Sequence, residues 1–148
     1  MNITNQKTNR LFQILPYLLF FFVSVFFFYW FANYIFFYQE KSSFFLVSSR
    51  FLAGQLDQPG GFLEYLSKLI TAFYYHKLFG AVLMSLIILG SVYLLSRIGK
   101  EISGKRAFIL PFFAGAVMVY LQANYQYAAF NHIGIFLQLL FYYLTLRF

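Results

Sequence analysis

The chain has 148 residues, of which 61% are hydrophobic, 25% aromatic and only 10% charged, and it contains no cysteine. So little polar surface cannot cover a water-soluble globule, and the lack of cysteine excludes disulfide frameworks, thiolate nucleophiles and cysteine-ligated zinc. The net charge of +7 comes mostly from basic residues at the ends of apolar runs. This placement indicates membrane topology rather than a nucleic-acid partner.

The first apolar run extends over residues 11–38, and no charged residue lies between Arg10 and Glu40. At about 1.5 Å per residue it is long enough to cross a hydrocarbon core of roughly 30 Å. In lipid a lone run must pair its backbone groups internally, so we expect a helix. Although Lys7 and Arg10 resemble the basic start of a signal peptide, the run is too long and too aromatic for one. We therefore predict an uncleaved anchor.

Three further spans are predicted, near residues 78–97, 107–125 and 128–147. Pro111 falls in the first turn of the third span, where its missing N–H costs least. The most apolar part of the fourth span, residues 133–146, rises only about 21 Å. The span is therefore extended back to residue 128, or else the chain is cut inside or just after this helix. The sequence thus predicts an all-α, multi-pass helical membrane protein, with residues 1–148 as a single domain.

The connecting segments predict the orientation of the spans. The segment between the second and third spans carries Arg97, Lys100, Lys105 and Arg106 against Glu101, and the N-terminal segment adds Lys7 and Arg10. Because basic residues remain on the cytoplasmic side, the N-terminus is expected inside and the loop over residues 39–77 outside. The expected location is the bacterial inner membrane.

This outer loop contains an amphipathic segment, Phe62 to Tyr75, which we predict to be an interfacial helix rather than a fifth span. Its expected apolar face holds Phe62, Leu66, Leu69, Ile70 and Phe73, and its expected polar face holds Glu64, Ser67, Lys68 and Thr71. Glu64 and Lys68 are spaced to form an i,i+4 ion pair. Turn residues at 57–61 precede this helix, and a shorter amphipathic stretch, 44–56, is expected beside it.

Three carboxylates are candidates for catalysis, namely Glu40, Asp57 and Glu64. They follow the first span on the predicted outer side, as the acidic catalytic residues of lipid-carrier glycosyltransferases do. A carboxylate at a helix end is, however, more often an anchor or an ion-pair partner, here of Lys41. We therefore favour a protein that is not an enzyme, with no metal and no cofactor.

The remaining polar side chains suggest packing rather than chemistry. His76 and His132 are expected at the outer membrane boundary, where a polar-tipped ring suits the headgroups, and no third ligand is spaced to join them. The amides are Asn33, Gln122, Asn124, Gln126, Asn131 and Gln138. They are expected to be interhelical hydrogen-bond partners, with a polar passage as the alternative. No ionisable residue lies at a predicted span centre, which argues against a proton relay.

Two strings carry a resemblance, FYQE at Phe37–Glu40 and QPGGFLEYLSKLITAFYYHKLFGA at Gln58–Ala81. They resemble the N-terminal membrane part of a bacterial multi-pass membrane protein family known only as a domain of unknown function. The resemblance covers about residues 36–97. It implies further spans and a soluble helical-repeat portion, so the chain is expected to be an N-terminal fragment.

Two functions therefore remain open. The first is a helical membrane module, the anchoring part of a larger envelope protein, whose partners are the lipid bilayer and other transmembrane helices. The second is a fragment of a lipid-carrier-dependent glycosyltransferase-like enzyme with an acidic first outer loop.

Overall fold

The computed structural model describes residues 3–43, 45–104, 109–124 and 126–148, and their side chains from residue 13 onward. These residues form α1 (Ile3–Trp30), α2 (Asn33–Ser42), α3 (Ser49–Leu56), α4 (Gly61–Ala72), a 3₁₀ turn (Phe73–Tyr75), α5 (Lys77–Ser103), α6 (Ile109–Gln122) and α7 (Ala129–Arg147). No strand occurs in this part of the chain, which confirms the all-α class.

Three helices are long and apolar enough to cross a membrane: α1 over Gln13–Trp30, α5 and α7. The bounds of α7 agree with the predicted fourth span. The described part of the third predicted span is α6, which has 14 residues and rises about 21 Å. Residues 105–108, which precede α6, lie outside the described part. Pro111 is the third residue of α6, in its first turn as predicted.

The first predicted span, 11–38, is two helices in the structure and not one. α1 ends at Trp30, and α2 begins at Asn33 after a turn in which the Ala32 N–H donates to the Phe27 carbonyl at 3.1 Å. No proline or glycine marks this break. Its cause is tertiary packing, since the turn lets α2 bury Phe36, whose ring lies 4.8 Å from that of Tyr74. Burial also raises the pKa of the Tyr74 hydroxyl.

The centre of the bundle is α5, which packs against α1, α6 and α7. In its apolar stretch 44% of residues are buried, against 11% for α1 and 17% for α7. Small residues allow the close approach of these helices. A Cβ on Gly115 of α6 would lie only 2.4 Å from Cγ2 of Val92 in α5. One turn further along α5, the Tyr17 hydroxyl donates to Ser96 Oγ at 2.9 Å and joins α1 to α5.

The α3–α4 pair covers one end of the bundle, with α4 packed against α7 and α2. Its turn contains Gly60 at φ +78°, a left-handed conformation that favours glycine. The predicted ion pair is present, with Lys68 Nζ 2.7 Å from a Glu64 carboxylate oxygen.

The predicted faces of α4 are wrong in part. Ser67 and Thr71, expected on the wet face, are buried, whereas Phe62 and Phe73 are 57% and 55% exposed. Hydroxyl side chains are small and can satisfy one another, so apolar helices of spanning length can approach closely along them. The phenylalanines then face outward, where apolar surface is tolerated.

Candidate functional site

Polar side chains converge on a cleft of about 670 Å³ at the bundle end formed by α2, α4 and the start of α7. We call it the end cleft. Its volume falls in the range of small-molecule sites, about 300–1,000 Å³. The described residues that line it are Tyr38, Gln39, Ser42, Ser43, Pro59, Gly60, Leu63, Glu64, Ser67, Lys68, Thr71, Gln126, Ala128, Ala129 and Phe130.

One wall of the end cleft is built from hydroxyl groups. Ser43 Oγ and Thr71 Oγ1 lie 2.7 Å apart, and this contact joins the end of α2 to α4. Thr71 also donates to the Lys68 carbonyl at 3.0 Å, and Ser42 donates to the Gln39 carbonyl at 3.1 Å. Because each hydroxyl has a fixed protein partner, the orientation of this wall is set before any ligand arrives.

Two charged residues face each other across one turn of α4 at the cleft. Besides its ion pair with Glu64, Lys68 donates to Gln55 Oε1 at 3.5 Å and lies 5.6 Å from the ring centre of Phe51. Both side chains are partly exposed, so the ion pair contributes only about 0.2–1 kcal/mol to stability. Its main effect is that the lining of the cleft carries no net charge.

The floor of the cleft is the amide of Gln39, which is only 5% exposed. Its Nε2 donates to the Tyr127 carbonyl at 2.8 Å, and Gln122 Nε2 donates to its Oε1 at 3.3 Å. A neighbouring bond, from the Tyr34 hydroxyl to the Ala123 carbonyl at 2.8 Å, reinforces this junction. Gln122 thus acts as an interhelical hydrogen-bond partner, as expected.

Sequence reasoning missed Gln39 as a site residue. The only signal was an amide directly after the aromatic run Phe36 to Tyr38, at the first residue of the predicted outer loop. A polar group next to an apolar run can have a buried hydrogen-bond partner on another helix. The Asn33 side chain, by contrast, donates a local hydrogen bond at 3.4 Å to the Tyr29 carbonyl, four residues earlier in the chain.

His132 does not lie among headgroups, as the sequence led us to expect. It is fully buried one turn into α7, with its ring centre 5.0 Å from that of Tyr127. The main chain of Met118 lies close to the ring but outside hydrogen-bonding geometry, and neither ring nitrogen has a hydrogen-bond partner among the described residues. His76 is exposed beside Tyr75, so the two histidines occupy different environments.

Of the three candidate carboxylates, only Glu64 lines the end cleft. Asp57 is exposed on the α3–α4 turn, and Glu40 is half-buried beside the cleft floor. The expected pairing of Glu40 with Lys41 is absent from the described residues, where Lys41 Nζ instead lies 4.3 Å from the ring centre of Phe37. The structure therefore does not assemble the three carboxylates into one site.

Comparison with known proteins places the chain in a family. The model of DUF6057, a family of unknown function, matches residues 7–148, which is nearly the whole chain. The chain belongs to this family, and the match extends beyond the strings that first suggested the resemblance. No curated protein and no solved structure matches it.

Proposed function

We propose that this member of DUF6057 is an integral module of the bacterial inner membrane that anchors a larger envelope protein and presents a binding cleft outside the cytoplasm. The observation that carries the proposal is the convergence of polar side chains at one end of a bundle with three helices of spanning length. Such a cleft, with a neutral and hydrogen-bonded lining, is suited to holding a ligand.

The orientation follows from the two ends of α5. Its first residue, Lys77, adjoins the α4 end of the bundle, and its last, Ser103, lies about 40 Å away in the basic segment 97–106. Basic segments remain in the cytoplasm, which supports an extracytoplasmic cleft and a cytoplasmic N-terminus.

Cysteine labelling tests this orientation without a background, because the natural chain has no cysteine. Val47→Cys lies between α2 and α3 and Ser103→Cys at the end of α5, and both side chains are exposed. In intact spheroplasts a membrane-impermeant maleimide should label Val47→Cys fully and Ser103→Cys only after permeabilisation. The reverse pattern would overturn the proposed orientation, and complete removal of the chain from membranes by alkaline carbonate would overturn membrane integration.

Binding is favoured over catalysis by the state of Glu64. Its position in the cleft is the one observation in favour of a glycosyltransferase-like enzyme. A catalytic carboxylate must reach a substrate atom, whereas this one is held by Lys68 at 2.7 Å and has neither Glu40 nor Asp57 beside it in the cleft lining.

A second part of the proposal concerns partner helices. Gln138 lies at the midpoint of α7 with its side chain exposed. An amide in hydrocarbon is stabilised by a hydrogen bond to another helix, and a symmetric pair of α7 helices in two copies would bring two such amides together. We propose that the chain self-associates through this face of α7.

Replacing Gln138 with leucine should lower the association constant of the chain about 3- to 30-fold, corresponding to an interhelical hydrogen bond of about 0.6–2 kcal/mol. Energy transfer between two labelled populations in vesicles, measured over a range of lipid dilutions, gives this constant. Gln138→Asn should retain association, and Phe22→Leu on the exposed surface of α1 should not change it. A chain that is monomeric at every dilution contradicts self-association.

A further inference from the structure

The charged groups of the end cleft cancel one another. Glu64 and Lys68 are the two charged residues among the described lining residues, and they lie 2.7 Å apart. A phosphate or carboxylate ligand that bound Lys68 would lie beside the negatively charged Glu64 carboxylate, which would repel it. The cleft therefore disfavours an anion and is compatible with an uncharged ligand.

The other polar groups that line the cleft can both donate and accept hydrogen bonds. The hydroxyls of Ser43, Ser67 and Thr71 have this dual character, and so does the amide of Gln39. Ligand hydroxyl groups also donate and accept, so each of them can be matched without leaving a buried group unpaired. Ligands with only one kind of group, such as ammonium or sulfate, could use only half of this hydrogen-bonding capacity.

Aromatic side chains flank this polar wall. Tyr38 and Phe130 line the cleft and are both partly exposed, so their rings are accessible beside the hydroxyl groups. The C–H face of a sugar ring is apolar and weakly positive, and it packs against an aromatic face while the hydroxyls at its edge bind polar side chains.

From these observations we infer that the end cleft binds an uncharged, hydroxyl-rich group such as a sugar ring, either on a glycolipid or free. The inference deepens the proposed function and rests on it, since a cleft at the membrane surface is where a lipid headgroup would be presented. Three features of the lining indicate this class of ligand: the neutral ion pair, the hydroxyl and amide groups, and the flanking aromatic rings.

The test uses the full chain in phosphatidylcholine nanodiscs and measures its thermal unfolding midpoint, which a ligand of the folded state raises. Four additions are compared: glucosyl diacylglycerol, free maltose, phosphatidylglycerol and phosphatidylethanolamine. We expect glucosyl diacylglycerol or maltose to raise the midpoint in a saturable way, and the comparison of these two identifies the source of the sugar. Stabilisation by phosphatidylglycerol or phosphatidylethanolamine without either sugar overturns the inference, and so does no effect from any of the four.

A matched pair of substitutions locates the binding. Thr71→Val removes a hydroxyl from the cleft wall, and Thr145→Val removes one near the other end of α7, where it donates to the Tyr142 carbonyl of its own helix. We expect Thr71→Val to weaken sugar binding at least tenfold and Thr145→Val to leave it unchanged. Phe130→Ala is a second cleft variant, with an exposed side chain, in case Thr71→Val does not fold. Unchanged sugar binding by the cleft variants that fold overturns the inference.

The proposed orientation of the membrane module and the proposed sugar ligand can be disproved by different results. If Val47→Cys is labelled from outside and no sugar binds, the inference fails while the extracytoplasmic membrane module stands. If Val47→Cys is labelled only after permeabilisation, the proposed function fails whichever ligand binds.

Discussion

Replacing Gly61 with alanine should destabilise the chain by about 1–3 kcal/mol, the usual range for overpacking a tight contact. A Cβ at this position would lie 1.6 Å from the Gln55 carbonyl oxygen. The obstacle is backbone and not the end of a flexible side chain, so the α3–α4 turn has to open. The end cleft should deform as well, because Gly60 lies in the same turn, Leu63 and Glu64 follow it, and all three line the cleft.

The neighbouring helix offers a matched control. A Cβ on Gly54 of α3 would meet no atom within 4 Å, so Gly54→Ala should be neutral or stabilise the chain by up to about 1 kcal/mol through helix propensity. The thermal unfolding midpoints of the two variants, measured in nanodiscs under the same conditions, test this difference. If both variants unfold at the midpoint of the natural chain, the tight α3–α4 turn does not contribute to stability as described.

Replacing Gln39 with leucine should lower the free energy of unfolding by about 1–3 kcal/mol for each hydrogen-bond partner that is left buried and unpaired. Two partners lose their bond, the Tyr127 carbonyl and the Gln122 amide. The junction of α2 with the α6–α7 connection should loosen, and the floor of the end cleft is lost with it. Gln58→Leu, the same substitution at an exposed turn residue, should change the unfolding midpoint little.

A double-mutant cycle isolates the bond between the two amides. Because Gln39→Leu already removes the partner of Gln122, the added change Gln122→Leu should cost less than it does alone, with an interaction energy of about 0.5–3 kcal/mol. Additive effects of the two substitutions would show that the amides are not coupled.

The helical spans were predictable because lipid imposes a simple length rule. The second and fourth predicted spans coincide with α5 and α7 to within a few residues, except that α5 continues through the charged residues after Arg97 as far as Ser103. The break after Trp30 was not predictable, since no glycine or proline marks it and the packing of Phe36 against Tyr74 determines it. Hydropathy reports whether a run can cross lipid, and it carries no information about tertiary contacts within the run.

The site was less predictable because amphipathic patterns are ambiguous near a membrane. Polar side chains in a soluble helix face water, and that rule placed Ser67 and Thr71 outward. In the structure they face protein, as small polar groups do between membrane helices. The same ambiguity placed His132 among headgroups, whereas the structure buries it beside Tyr127. The Glu64–Lys68 pair was predicted correctly because it depends only on spacing within one helix.

The hydrogen bond between Gln39 and Gln122 joins residues 83 positions apart, and this separation has a consequence for biosynthesis. At about 5–20 residues per second, translation exposes Gln39 roughly 4–17 s before its partner leaves the ribosome. During that interval α2 lacks this hydrogen bond, although it can already pack against Tyr74 and Thr71, which are synthesised before Gln122. The floor of the cleft is therefore completed only when α6 arrives, after α1 and α2 have been synthesised.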